Sequence, residues 1–89
     1  MTEINSRFEQ ASIAAKSLPE RPDNNTMLQL YALFKQGSAG DVTGKKPGMF
    51  DFVGVAKYDA WEGLKGLAPE DAMQQYIDLV TKLGGSIDG

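Results

Sequence analysis

The chain has 89 residues, nine Lys+Arg against twelve Asp+Glu, and no His or Cys. Those counts predict one small domain over residues 1–89 and exclude disulfide or zinc staples, Cys–His and Ser–His–Asp nucleophiles, and a general base titrating unperturbed near neutrality. The net charge of −3 argues against a general nucleic-acid or anionic-membrane binder, and the polar start MTEINSRFEQ without a long apolar run predicts a cytoplasmic protein with no stable membrane insertion.

Pro/Gly punctuation separates four expected helices. The first spans about Glu3 to Ser17, with Ile4, Phe8, Ala11 and Ala15 at helical spacing. Leu18-Pro19-Glu20-Arg21-Pro22 ends it, because each proline biases the preceding residue away from α geometry. Asp23-Asn24-Asn25-Thr26 offers N-caps for a second helix reaching about Ser38. Residues 40–50, GDVTGKKPGMF, have the composition of an ordered loop. Asp51 caps a third helix from Phe52 to about Lys65, which Gly66 stops. Pro69, followed by Glu70 and Asp71, opens a fourth that runs to about Leu83. No segment alternates with period two long enough for a strand. The fold class is all-α with four helices.

The helix faces then separate core from surplus. On the second helix Leu33, Leu30, Phe34 and Met27 span roughly 120°, enough to meet a core, at about 100° per residue. Tyr31, Lys35 and Leu28 widen that arc, leaving Gln29, Gln36 and Ala32 on the remaining face. On the third helix Phe52, Val53, Ala56, Ala60 and Leu64 form an expected core stripe. Lys57 and Trp61 lie beyond its edge, one turn apart, so the lysine stem can lie along the indole. Phe8, Ser12 and Lys16 run along the edge of the first helix's stripe. The fourth helix puts Ala72, Met73, Tyr76, Ile77, Val80 and Leu83 on one broad face.

Charge is unevenly spread. Residues 31–57 hold four Lys and two Asp, a local +2, whereas residues 58–89 hold two Lys and six acids, or −4. Tyr31 and Lys35 one turn apart, with Lys57 on the next helix, suit a ligand carrying phosphates and an aromatic ring. The plain alternative is a solvated lysine face around core aromatics.

The runs MLQLYALFKQGSAGD (27–41), KPGMFDFVGVAKYDAWEGLKG (46–66) and APEDAMQQYIDLV (68–80) resemble the acyl-CoA-binding protein family, with the spacing between blocks kept. The most specific part is Tyr-x-x-aromatic-Lys-Gln followed by Gly-Asp, Pro-Gly-Met and Lys-aromatic-Asp-Ala-Trp. The resemblance implies an up-down-down-up four-helix bundle. It also implies a non-enzymatic, monomeric carrier and pool former for long-chain fatty acyl-CoA that needs no cofactor and delivers to acyl-CoA-using enzymes. By position, Tyr31, Lys35 and Lys57 would hold the phosphates of the CoA head, and Phe34 would stack on adenine. Tyr76 would touch the ligand from the fourth helix, and Lys16 would lie near the head group. Phe8, Ser12, Met27 and Leu28 would border the acyl-chain groove.

Three positions depart from the family pattern. Phe34 stands where many members have Tyr, Tyr58 where Trp is usual, and Val53 where several carry lysine, which removes one cation near the ligand. Each residue also has a structural alternative. Tyr31, Phe34 and Tyr76 suit plain packing, Trp61 suits the interhelix core or a shield for Lys57, and Lys45 and Lys46 suit a solvated loop. Asp59 and Glu62 have no carboxylate partner at a spacing that suggests chemistry. The functional alternative is a helical protein-interaction module using the surplus face of the second helix. That face ends in Lys35 rather than in an apolar strip.

Overall fold

The computed structural model describes residues 3–86, so the expected domain over residues 1–89 extends beyond them at both ends. Helix α1 spans Glu3–Ala14 and tightens into a 3-10 turn at Ala15–Ser17; α2 spans Asn24–Ala39, α3 Phe52–Glu62 and α4 Pro69–Lys82. No strand occurs among the described residues. Asp23 accepts the Thr26 amide at 2.8 Å and Asp51 accepts the Gly54 amide at 2.9 Å. Each carboxylate satisfies a first-turn N–H that has no partner inside its helix. Gly40 ends α2 at φ +83°, its N–H closing on the Gln36 carbonyl at 3.1 Å, a left-handed conformation that suits glycine. Helix α3 stops at Glu62, short of the expected Lys65. There the chain tightens into three-residue turns, Leu64 N–H to Trp61 and Lys65 N–H to Glu62.

Side-chain register fixes the helix directions. Lys57 of α3 lies over the Tyr31 ring of α2, and one turn later Lys35 of α2 lies over Trp61 of α3, so these helices are parallel. Gly37 near the end of α2 faces Met73 near the start of α4, and Leu28 near the start of α2 shares a groove with Leu79, so α2 and α4 are antiparallel. Phe8 meets Tyr76, and Pro19 beyond α1 lies against Gly84 beyond α4, so α1 and α4 are parallel. The result is an up-down-down-up bundle. A parallel α2–α3 pair requires a return crossover, which residues 40–51 supply. The Lys46–Asp59 ion pair, 2.9 Å, and the Tyr58 hydroxyl, which donates to the Gly44 carbonyl at 3.3 Å, pin this crossover to α3.

The core joins Phe8 and Ala11 of α1, Leu30 and Leu33 of α2, and Ala72, Tyr76, Ile77 and Val80 of α4. The stripes read for α1 and α4 are therefore borne out. Two other faces need correction. Ala32 and Gln36, assigned to the leftover side of α2, are buried, because α2 packs against both α3 and α4. Conversely, Phe52 and Val53, expected in the core, are exposed, and Trp61 is the buried anchor of α3.

Burying Gln36 requires partners for its amide. Its Nε2 donates to Asp41 Oδ1 at 2.9 Å and to the Leu67 carbonyl at 2.8 Å. Asp41 Oδ1 also accepts the Gly66 amide at 2.9 Å, and Trp61 Nε1 donates to the Gly40 carbonyl at 2.8 Å. Together these bonds clamp the end of α2 to the α3–α4 turn.

Candidate functional site

Helix α1 rests on α4 and α3 rests on α2, while α1 and α3 make no comparable contact with each other. A cleft of about 790 Å³ is left between them. Its first wall carries Ser12, Ala15 and Lys16, continued by Arg21 of the linker and Asn24 at the start of α2. Helix α2 contributes Met27, Leu28, Leu30, Tyr31 and Phe34. The far wall is Phe52, Val53, Ala56 and Lys57 of α3, with Tyr76 of α4 at the base.

Three features give this cleft its chemistry. Lys16, Arg21 and Lys57 line it, and no carboxylate does. Among the described residues, the ion pair present is Lys46–Asp59, so these three cations remain available to an anion. Apart from Ser12, Asn24 and the hydroxyls of Tyr31 and Tyr76, the rest of the lining is apolar, which suits an amphiphile with a charged head and an apolar tail.

The third feature is a three-ring cluster. Phe34 stacks on Phe8 with centroids 5.3 Å apart and planes 26° apart, and Phe8 meets Tyr76 edge-on at 5.3 Å. Phe8 itself is buried beneath the cleft. It therefore backs one face of Phe34, a residue 37% exposed, whose ring can meet a flat aromatic group. Burial pushes the Tyr76 hydroxyl above the usual tyrosine range, so it stays protonated and remains a donor at neutral pH. Packing and cleft lining are thus both true of Tyr76.

Eight of the ten residues singled out from the sequence line this cleft: Ser12, Lys16, Met27, Leu28, Tyr31, Phe34, Lys57 and Tyr76. Phe8 lies underneath, and Lys35 lies outside. The Lys35 ammonium sits 5.0 Å from the centre of the Trp61 ring, whereas Lys57 sits 5.2 Å from that of Tyr31. The expected Lys57–Trp61 pairing is therefore corrected: across parallel helices each lysine meets the ring of the other helix. Arg21, Asn24, Phe52 and Ala56 were not singled out for the site. The usable signal for Arg21 was a cation between the two prolines that swing the linker past the cleft.

No helix among the described residues is long and apolar enough to cross a membrane, and no cluster of potential metal-ligating side chains occurs among them.

The Acyl CoA binding protein family model matches residues 5–80. The chain belongs to the acyl-CoA-binding protein family. Acyl-CoA-binding protein homolog 1 of Caenorhabditis elegans is 51% identical over 76 residues, which is 85% of this chain and 88% of that one. The crystal structure of Oryza sativa acyl-CoA-binding protein 2 superposes with a TM-score of 0.86 at 39% identity, covering 90% of this chain and 89% of that one. Enoyl-CoA delta isomerase 2 of Rattus norvegicus is 49% identical over 79 residues, covering 89% of this chain but only 20% of the isomerase.

Proposed function

We propose that this family member binds long-chain fatty acyl-CoA in the cleft between α1 and α3 and serves as a non-enzymatic carrier and pool former. The observation that carries the reading is one lining that combines three cations, no carboxylate and a mainly apolar remainder. Lys57 and the Tyr31 hydroxyl take the CoA phosphates, with Lys16 near the head group. Phe34 stacks on the adenine. Lys35 joins the phosphates by leaving the Trp61 ring, a change within reach of a flexible lysine stem. The acyl chain runs past Met27, Leu28 and Ser12, over the buried Phe8, and Tyr76 contacts the ligand from below.

The likeness to the isomerase, confined to a fifth of that protein, supports no catalysis here. The chain has neither a thiol nor an imidazole that could attack the thioester. On this reading it is a monomeric domain over residues 1–89, acting in the cytoplasm and passing acyl-CoA to the enzymes that use it.

Calorimetry tests the division of labour. Each added methylene contributes about 0.8 kcal/mol of burial until the groove is full, so affinity rises with chain length while free fatty acid binds poorly. Equal affinity for free CoA and a long-chain acyl-CoA refutes the proposal.

A further inference from the structure

One exposed apolar cluster has no role in holding the bundle together. Met49, Phe50, Phe52 and Val53 are 75%, 89%, 77% and 65% exposed. The segment is built to point outward: Asp51 N–H closes a turn on the Gly48 carbonyl at 2.9 Å, and the Asp51 carboxylate caps α3. The crossover leading to it is pinned to α3 through Lys46–Asp59. Phe52 and Val53 also form part of the cleft wall, so the patch continues into the cleft mouth. Exposed Lys45 and Lys57 flank it, and exposed Lys16 and Arg21 stand on the opposite rim.

From this arrangement we infer that Met49 and Phe50 form a tip that docks reversibly on an anionic phospholipid surface, bringing the cleft mouth against the bilayer. Side chains this exposed protrude without a surrounding groove, and a fluid acyl layer receives them without a complementary pocket. The flanking cations complement anionic headgroups. The overall −3 argues against a general anionic-membrane binder, but the charge beside the tip departs from that average: the cleft lining holds Lys16, Arg21 and Lys57 and no carboxylate. The purpose of docking, collecting an amphiphile whose tail partitions into bilayers, rests on the proposed acyl-CoA binding; the docking itself does not.

The test uses the full chain without acyl-CoA, sedimented with vesicles of phosphatidylcholine alone or mixed with phosphatidylserine. Binding is expected to the mixed vesicles, to weaken with salt, and to fall at least about tenfold in the Met49→Ser/Phe50→Ser variant. Solution affinity of that variant for long-chain acyl-CoA, read by calorimetry, stays within about threefold of the parent, since neither residue lines the cleft. Loss of that affinity in the parent would sink the carrier reading and leave the vesicle result standing. Should the double variant fail to fold, Phe50→Trp with brominated phospholipids gives the second readout, and quenching of the new indole is expected. The inference is overturned if the parent does not sediment with mixed vesicles, if the variant sediments equally, or if the indole is not quenched. It is also overturned by a lipid-free dimer that the double substitution abolishes, which assigns the patch to a second copy of the chain.

Discussion

Replacing Lys57 with alanine separates ligand binding from folding. Its ammonium is exposed, 5.2 Å from the Tyr31 ring centre, with no carboxylate in ion-pair reach among the described residues. Its contribution to folding is therefore an exposed cation–π contact, about 0.5–1 kcal/mol. A charge-assisted contact to a ligand phosphate is worth about 1.5–3 kcal/mol, and the exposed position favours the lower half of that range. Lys57→Ala is expected to raise Kd for a long-chain acyl-CoA about 12–40-fold while lowering unfolding free energy by no more than about 1 kcal/mol. Calorimetry at low and physiological salt measures the first quantity, and urea unfolding measures the second. The affinity gap should narrow as salt rises. Lys46→Ala is the control, because Lys46 is outside the cleft and engaged by Asp59; it should leave Kd within about twofold. A Kd for Lys57→Ala within about twofold of the parent, or matched losses of binding and stability, refutes the reasoning.

Three further changes probe the stacking ring and the clamp. Phe34→Ala removes the ring proposed to stack on adenine and should weaken acyl-CoA about 2–12-fold by calorimetry, whereas Phe34→Tyr keeps the ring and the affinity. Gln36→Leu leaves the Leu67 carbonyl and Asp41 without its amide, and should lower stability to urea by about 1–3 kcal/mol with little effect on ligand affinity. Hydrogen bonds from the Gly66 amide and then the Gln36 amide hold the Asp41 carboxyl below its ordinary value of 3.8. Its stabilising contribution is thus present above that value and disappears as pH falls through the lower folded-state value. Asp41→Asn should accordingly flatten the acid limb of a melting-temperature profile. An unchanged limb would exclude Asp41 as a source of acid sensitivity.

Legibility varied with how many neighbours each helix has. Phe8 and Ala11, or Ala72, Tyr76, Ile77 and Val80, were readable as core because α1 and α4 bury one main stripe. Helix α2 is covered on two sides, so periodicity left Ala32 and Gln36 on the wrong face. Phe52 and Val53 failed for a different reason: a cleft wall uses the same apolar residues at the same spacing as a core stripe. Lys57 and Trp61 are adjacent along α3, but the parallel neighbour places Tyr31 and Lys35 closer to them in space. Spacing within one helix cannot encode that choice. The lysines and aromatic rings of the cleft were nevertheless visible, through the local positive charge and the match to a family pattern.

An acidic chain can present a phosphate-friendly cleft because its nearby carboxylates are committed elsewhere. Asp23 and Asp51 begin the helices that border the cleft, and each accepts a backbone amide at the positive end of its helix. Asp41 is engaged by Gly66 and Gln36, and Asp59 by Lys46. None of the four enters the cleft lining, where Lys16, Arg21 and Lys57 stand. Burial raises the Tyr76 hydroxyl above the usual tyrosine range, so it keeps its proton at neutral pH, and the chain has no histidine. No imidazole therefore switches the charge of this cleft near neutrality, which suits the proposed binding of an anionic head group.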